Sequence, residues 1–427
     1  MIPTSTEVSI EKLIPEGKAL GRLADGRIVI AQGAIPGDRI LLERFSERKG
    51  LVSAQSFRLV AASPLRVTPS CSVAERCGGC DWMMLRIQEQ RQSKIELLKE
   101  ALWRTGKIDF RERGIELFIG QRAEGYRGRV RLAVQHDRIG FYQRGSHELI
   151  EPERCAVSSP AVNAALGELR LAARAQAGAL GCFTWLEVRE GSDGSVSVWL
   201  ERNDRALSPA ARAFIQALRA KFIVVASSSE AESPQSWQRF QLTDDTFMLS
   251  SPASFTQVNW EVNRLLIRRV LDGAAARGIN TFLDAYAGSG NFALPLLAQG
   301  LSGLAVEANP SAVLAAREAA RRQTLPADGF VVADAAAHAE ELWRQGRRFD
   351  LVLVDPPRAG VKVGLEPLSR LAQAWFLMCS CNPVTLARDL RSALDLGFSI
   401  SELEAFDMFP QTHHLETLAW LRAPAAR

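Results

Sequence analysis

A chain of 427 residues, 47% hydrophobic and 23% charged, has an ordinary folded composition and enough length for about three domains. Collagen-like, low-complexity and disordered classes are thereby excluded. The formal charge of +4 is too mild to name a nucleic-acid partner by itself.

The chain opens without a basic segment leading into an apolar run, so no secretory signal is expected. Residues 5–61 alternate short β-rich runs (EVSIEKL, RIVIAQ, DRILLERF, LVSAQSFRLV) with turn signals, which predicts a small barrel. Pro64 and Pro69 mark a linker into a cysteine cluster, Cys71, Cys77 and Cys80, the last two separated by Gly78 and Gly79. Helical spacing follows over 86–104. Hairpins are expected at RGRVRLAV/RIGFYQRG and at FTWLEVRE/GSVSVWLER, then a return of cysteine at Cys155 between them. From about residue 260 short apolar strands alternate with helices, the pattern of a doubly wound α/β sheet. The uncharged stretch from Ala285 to Val306 is long enough for a membrane span, but its glycines, Asn291 and Pro295 favour a strand, turn and helix. The chain is expected to be cytoplasmic, where thiols serve as metal ligands or nucleophiles more often than as disulfides. Charge is uneven: residues 1–160 carry 26 basic and 20 acidic side chains, residues 161–427 carry 26 and 28. A basic front suits a polyanion, though a solvated face gives the same excess.

Four stretches carry chemistry. Asp284 to Asn291 (DAYAGSGN) places glycines at a strand-to-helix turn, where the backbone and helix N-terminus can approach a ligand, with Glu307 placed at the next strand end to accept from ribose hydroxyls. The loop fits S-adenosylmethionine (SAM) and the G-x-G-x-x-G/A dinucleotide pattern equally well. Asp355-Pro356-Pro357-Arg358 ends a strand where open α/β sheets set their active sites. An amino-group methyltransferase would place an aromatic after the prolines, and Arg358 stands there instead. The next strand ends Cys379-Ser380-Cys381-Asn382-Pro383. Cys379 and Cys381 share a face, with Cys381 nearer the lip. Most lone cysteines are small buried hydrophobes, but one at the lip beside Asp-Pro-Pro is a candidate nucleophile. Before the last strand, His413, His414 and Glu416 (HHLE) offer a proton acceptor, either His414 or Glu416, although surface histidines beside a loop read the same. A thiol, a SAM-type loop and a base suit methylation of a pyrimidine C5. Thiolate addition at C6 gives an enolate whose C5 can take a methyl, a base removes the C5 proton, and the thiol is expelled. The target base must leave its stack.

Four thiolates at Cys71, Cys77, Cys80 and Cys155 can hold zinc or an iron–sulfur cluster; a zinc ribbon would show a second close pair, so the lone fourth cysteine favours [4Fe–4S]. Cys182 and Cys379 are left as core residues.

Together these motifs resemble the RNA uracil-C5 methyltransferase family, in its branch with a TRAM domain and a [4Fe–4S] cluster, and the likeness spans nearly the whole chain. It implies a class I Rossmann-like methyltransferase domain over 251–427. It also implies a TRAM barrel, OB-like and RNA-binding, over 1–62, and a central α+β iron–sulfur domain over 63–250, whose segment at about 85–116 packs on the catalytic domain. The same resemblance selects SAM over NAD. It makes Cys381 the nucleophile and Glu416 the base, and Cys71, Cys77, Cys80 and Cys155 the cluster ligands. Gln257 (in Phe255-Thr-Gln-Val-Asn259), Tyr286, Gly288, Asn291, Glu307, Asp334 and Asp355 are implied as the SAM pocket. Departures are few: Ala319 and Gln323 stand where the family often has Asn, and Tyr286 where Phe is common. Relatives of this branch mostly methylate 23S rRNA, giving 5-methyluridine, and some modify the T-loop uridine of tRNA. RNA is therefore the implied partner; no protein partner or membrane is expected, and a monomer is. A non-catalytic RNA-binding factor is the rival from another class.

Overall fold

The computed structural model describes residues 6–425; residues 1–5 and 426–427, within the expected TRAM and methyltransferase spans, lie outside the described residues. Five strands, β1 (Glu7–Ile14), β2 (Lys18–Arg22), β3 (Ile28–Gln32), β4 (Arg39–Arg48) and β5 (Leu51–Ala61), close into a barrel in the order β1-β2-β3-β5-β4. Alternation drives it: Val8, Ile10, Leu13, Ala19, Val29, Ala31, Ile40, Leu42 and Val52 point inward and are buried. Gly21 is needed where β2 meets β1, since a Cβ there would lie 2.4 Å from the Ser9 carbonyl oxygen. Trp82, Met84 and Leu85 from the cysteine loop pack into the same core, and the Trp82 indole N–H donates to the Gly17 carbonyl at 3.2 Å.

Helix α1 (Ile87–Arg104) and the short strand β6 (Glu116–Phe118) come next. A six-stranded sheet then forms from β7 (Arg129–Gln135), β8 (Arg138–Tyr142), β9 (Leu149–Ile150), β10 (Phe183–Glu190), β11 (Val196–Arg202) and β12 (Ile223–Val225), in the order β12-β11-β10-β7-β8-β9. Helices α2 (Pro160–Ala175) and α3 (Pro209–Arg219) supply Leu166, Leu169, Phe214 and Leu218 to its core. A short helix α4 (Ser228–Glu232) and a two-stranded ribbon, β13 (Gln238–Gln241) with β14 (Phe247–Ser250), complete the middle.

The last part alternates as expected: α5 (Trp260–Ala276), β15 (Thr281–Ala285), α6 (Ala293–Ala298), β16 (Ser302–Glu307), α7 (Pro310–Arg322), β17 (Phe330–Val332), α8 (Ala335–Arg344), β18 (Phe349–Val354), α9 (Leu365–Ser369), β19 (Ala372–Ser380), α10 (Pro383–Asp395), β20 (Ser399–Phe406) and β21 (Glu416–Arg422). The sheet order is β17-β16-β15-β18-β19-β21-β20-β6. Strands β15 to β19 run parallel, and β21 runs antiparallel between β19 and β20. Strand order reverses at β15, flanked by β16 and β18, which opens a crevice at the carboxyl ends of these strands. The protein is thus α/β with an N-terminal barrel.

Two features cross the spans expected from sequence. Strand β6 pairs parallel with β20, so residues 116–118 form the edge of the catalytic sheet, and Leu98, Ala101 and Leu102 of α1 enter the core on one face of that sheet. The β13–β14 ribbon, ahead of residue 251, buries Phe240, Met248 and Leu249 against the other face. Gln323 explains the attachment: its side chain accepts from the Phe247 amide and donates to the Phe247 carbonyl, both at 2.8 Å. No helix among the described residues is long and apolar enough to cross a membrane.

Candidate active site and cysteine cavity

Three strand exits meet at the crevice. Asp355 leaves β18, Cys381 leaves β19, and Glu416 begins β21. In the β19–β21 ladder Ser380 pairs with Thr417 and Cys379 with Leu418, so one further antiparallel step sets Glu416 opposite Cys381. Residues opposite each other across a ladder present side chains to one face. The ligand atoms of Asp355, Cys379 and Glu416 lie within 4.8 Å of one another, and the Cys379 thiol donates to Glu416 Oε1 at 3.4 Å. Sequence placed Asp355 with the cofactor; its carboxyl stands on the catalytic side as well.

This pocket is rich in acid groups. Burial, then the charge of Asp355, holds the Glu416 carboxyl well above the carboxylate range. Burial likewise pushes Asp355 up to about 6. The Cys381 thiol is pushed up to about 11 by burial and by Glu416 and Asp355, with Arg358 pulling the other way. Cys381 directly precedes Asn382, the N-cap of α10, whose side chain accepts from the Val384 amide at 3.0 Å. A helix N-terminus stabilises an anion by about 0.3–1 kcal/mol, less than one pKa unit. That is too little to offset burial, so the resting nucleophile is a thiol.

Of the two acceptors that sequence left open, His414 is the poorer. Its Nε2 lies 3.2 Å from an Arg358 guanidinium nitrogen, and burial with neighbouring cations holds it down to about 3. Glu416 faces the thiols. Residues 407–415 join two strands of the sheet, rather than a helix and a strand, and they are clamped from the front of the chain. Lys94 is fully buried and donates to Asp407 Oδ1 at 2.6 Å and to the Phe409 carbonyl at 2.9 Å. Gln90 and Gln411 are joined twice, through amide and side chain, at 2.9 Å each. Tyr126 donates to the Pro410 carbonyl at 3.0 Å, and Asp81 binds His413 Nδ1 at 2.7 Å. None of these partners was visible in sequence, because each pair lies far apart along the chain with no motif around it.

On the cofactor side, the loop after β15 turns through positive φ at Tyr286, Gly288 and Gly290. Glu307 accepts from the Gly288 amide at 3.0 Å and the Asn309 amide at 2.7 Å, leaving lone pairs for ligand hydroxyls. Asn291 is oriented by a reciprocal pair of bonds with Asn263, Gln257 is buried, and Asp334 caps α8 through the Ala337 amide. Burial raises the Tyr286 hydroxyl pKa, and the charge of Asp334 adds to the shift. Three buried hydroxyls here, Ser254, Thr256 and Ser289, have no hydrogen-bond partner among the described residues, and a Cβ on Gly288 would meet open space. Orphaned buried polar groups beside an open glycine loop fit a polar ligand such as SAM.

Cys71, Cys77, Cys80 and Cys155 converge on one cavity of about 170 Å³, lined also by Met83, Arg127 and Val157, and none is disulfide-bonded. Burial raises the Cys80 thiol to about 12, with Cys155 and Cys77 adding to it. Four thiolates in this cavity would repel one another, so they would need a group that supplies positive charge. Four thiolates around one cavity suit zinc and an iron–sulfur cluster alike. The Gly79 amide donates to the Cys77 sulfur at 3.4 Å.

A family model described as tRNA (Uracil-5-)-methyltransferase matches residues 87–423. The chain is 32% identical over 448 residues to the 23S rRNA (uracil(1939)-C(5))-methyltransferase RlmD of Halomonas elongata, covering 98% of this chain and 89% of that protein. Against the protein of the same name from Shewanella halifaxensis the identity is 30% over 414 residues, covering 92% and 91%. Among solved structures, the Pyrococcus abyssi tRNA (uracil-54, C5)-methyltransferase in complex with S-adenosyl-L-homocysteine superposes with a TM-score of 0.74 at 26% identity, covering 97% of this chain and 99% of that one.

Proposed function

The chain belongs to the tRNA (uracil-5-)-methyltransferase family, and from that membership we propose that it is a SAM-dependent enzyme methylating C5 of a uridine in 23S rRNA. The rRNA methyltransferases among its relatives support that target. The observation that supports the mechanism is the β19–β21 ladder, in which Ser380 and Thr417, the neighbours of Cys381 and Glu416, are paired.

The Cys381 thiol passes its proton to solvent water, and the thiolate adds to C6 of the flipped uracil, turning C5 into a nucleophile. SAM, held by Gln257, Tyr286, Gly288, Asn291, Glu307 and Asp334, supplies an electrophilic methyl group when bound. Glu416 then takes the C5 proton, the C5–C6 double bond re-forms, and the Cys381 sulfur leaves with the electron pair it brought. Once ionised, a carboxylate with raised proton affinity is the stronger acceptor in that step. Arg358, beside a His414 ring kept neutral, offsets the acid excess of the pocket.

Cys71, Cys77, Cys80 and Cys155 are the ligands of a [4Fe–4S] cluster that orders the segment beside the catalytic loop. Residues 1–62 form the RNA-binding barrel, 63–250 the cluster-bearing middle and 251–427 the methyltransferase domain, with α1 and β6 lent to the last. The protein acts in the cytoplasm as a monomer.

RNA carrying 5-fluorouridine at the target traps a covalent complex, because fluorine cannot leave as a proton. Cys381→Ala binds SAM and transfers no methyl, whereas Glu416→Gln accumulates protein-bound RNA; clean turnover by either variant refutes its assigned role. Mapping 5-methyluridine in a deletion strain decides the target: loss from tRNA alone assigns the T-loop instead.

A further inference from the structure

Cys379 sits two residues inside the nucleophile, on β19, and only 1% of its surface is exposed. It borders Phe406, Met408 and Leu418 in the core on its face of the sheet. Packing alone would be met there by valine or leucine. The thiol instead aims at polar groups: Cys379 pairs with Leu418, which makes Glu416 its diagonal neighbour on the same face, and the sulfur lies 3.4 Å from Glu416 Oε1. Asp355 completes the trio within 4.8 Å.

We propose that Cys379 is a positioning residue for the base: its thiol donates to the Glu416 carboxylate, fixing that group beside Cys381. This rests on the mechanism proposed above. A donor must keep its proton, and the surroundings ensure that it does. Burial, then the charges of Asp355 and Glu416, holds the Cys379 thiol well above its usual range, so it neither competes as a nucleophile nor charges the pocket. Two carboxyls in one dry space repel each other when ionised. A neutral donor between them favours an ionised carboxylate without adding a cation that would trap it; its hydrogen bond acts on Asp355 as well as on Glu416. The other groups facing Glu416 are Asp355 and Arg358 from the β18 exit and Cys381 from the β19 exit, with His414 on its own approach. Asp407, just past β20, is engaged by Lys94 and Arg91.

The test uses the full-length protein with target RNA. Wild type is first shown to trap on 5-fluorouridine RNA; its failure to do so refutes the mechanism, not the placement of Cys379. In Cys379→Val, kcat falls about five- to tenfold, the rate equivalent of one lost hydrogen bond, while KM for SAM and RNA holds. Protein-bound RNA accumulates with ordinary substrate. The acid limb of the kcat profile moves up by about half to one pH unit, because a carboxylate without its donor is harder to ionise. Cys379→Ser, which keeps a donor, restores the limb and clears the adduct. If the valine variant does not fold, Cys379→Ala makes the same comparison with less bulk. A donor-less variant whose pH limb and adduct level match wild type overturns the proposal, whatever its melting temperature.

Discussion

Replacing Lys94 by methionine tests how the front of the chain sets the base. Lys94 and Asp407 are a salt bridge at 2.6 Å with side chains 0% and 1% exposed. Removing one partner of such a pair leaves a buried charge and costs about 3–5 kcal/mol. Arg91, 3.2 Å from the other Asp407 oxygen, retains part of the compensation, so the lower end of that range applies. The ammonium also donates to the Phe409 carbonyl, and that acceptor would lose its partner too. The cost falls on residues 407–415, whose opening needs no unfolding of the rest. About 3 kcal/mol corresponds to roughly 150-fold more frequent opening. Hydrogen exchange should therefore accelerate by about two orders of magnitude at the Gln411 amide, which Gln90 accepts. The Asp81 and Trp82 amides, which donate to the Gln411 carbonyl, should follow. Amides of β10 and β11 in the central sheet serve as the internal control. The double variant Lys94→Met with Asp407→Leu should recover part of the loss, since an apolar pair leaves no orphaned charge. Exchange at Gln411 within threefold of wild type would show that the pair does not hold the loop.

Two further outcomes follow from the site. Asp355, pushed up to about 6 from an ordinary 3.8 by burial, holds its proton more tightly folded than unfolded. Its contribution to stability is full below about pH 4 and is lost as pH rises through about 6, amounting to roughly 2–3 kcal/mol. Urea titrations of cofactor-free protein should show that decline, and Asp355→Asn should flatten it; an unchanged slope in the variant refutes the assignment. For the cysteine cavity, anaerobically purified protein should be brown with iron and sulfide bound. Cys77→Ser, or removal of the iron by a chelator, should release the colour and raise exchange at the Asp81 and Trp82 amides. A colourless wild type carrying one zinc ion contradicts the cluster.

The legible parts were those whose evidence is local. Strand alternation over the barrel, the glycine turn after β15 and the three strand exits each occupy a few consecutive residues, and the sheet did the rest by bringing β18, β19 and β21 side by side. Proton donors and acceptors chosen by tertiary contact were hidden. The residues alone left His414 and Glu416 as equal candidates and the family resemblance chose Glu416; the fold shows the physical difference, with Glu416 among the thiols and His414 on Arg358. Cys379 resembled any small core residue, since nothing next to it in the chain discloses a carboxyl across the strand. Strand β6 has three residues, too few for a periodic signal, and its pairing with β20 could not be seen from either end.

That pairing also orders the protein in time. Glu116 of β6 is synthesised long before Glu404, its partner in the ladder, so the edge of the catalytic sheet is made first and waits. Contacts this remote close slowly, and until they close β20 presents an open edge of the kind that invites pairing between chains. A fragment beginning at residue 251, which lacks β6, would carry that edge exposed permanently.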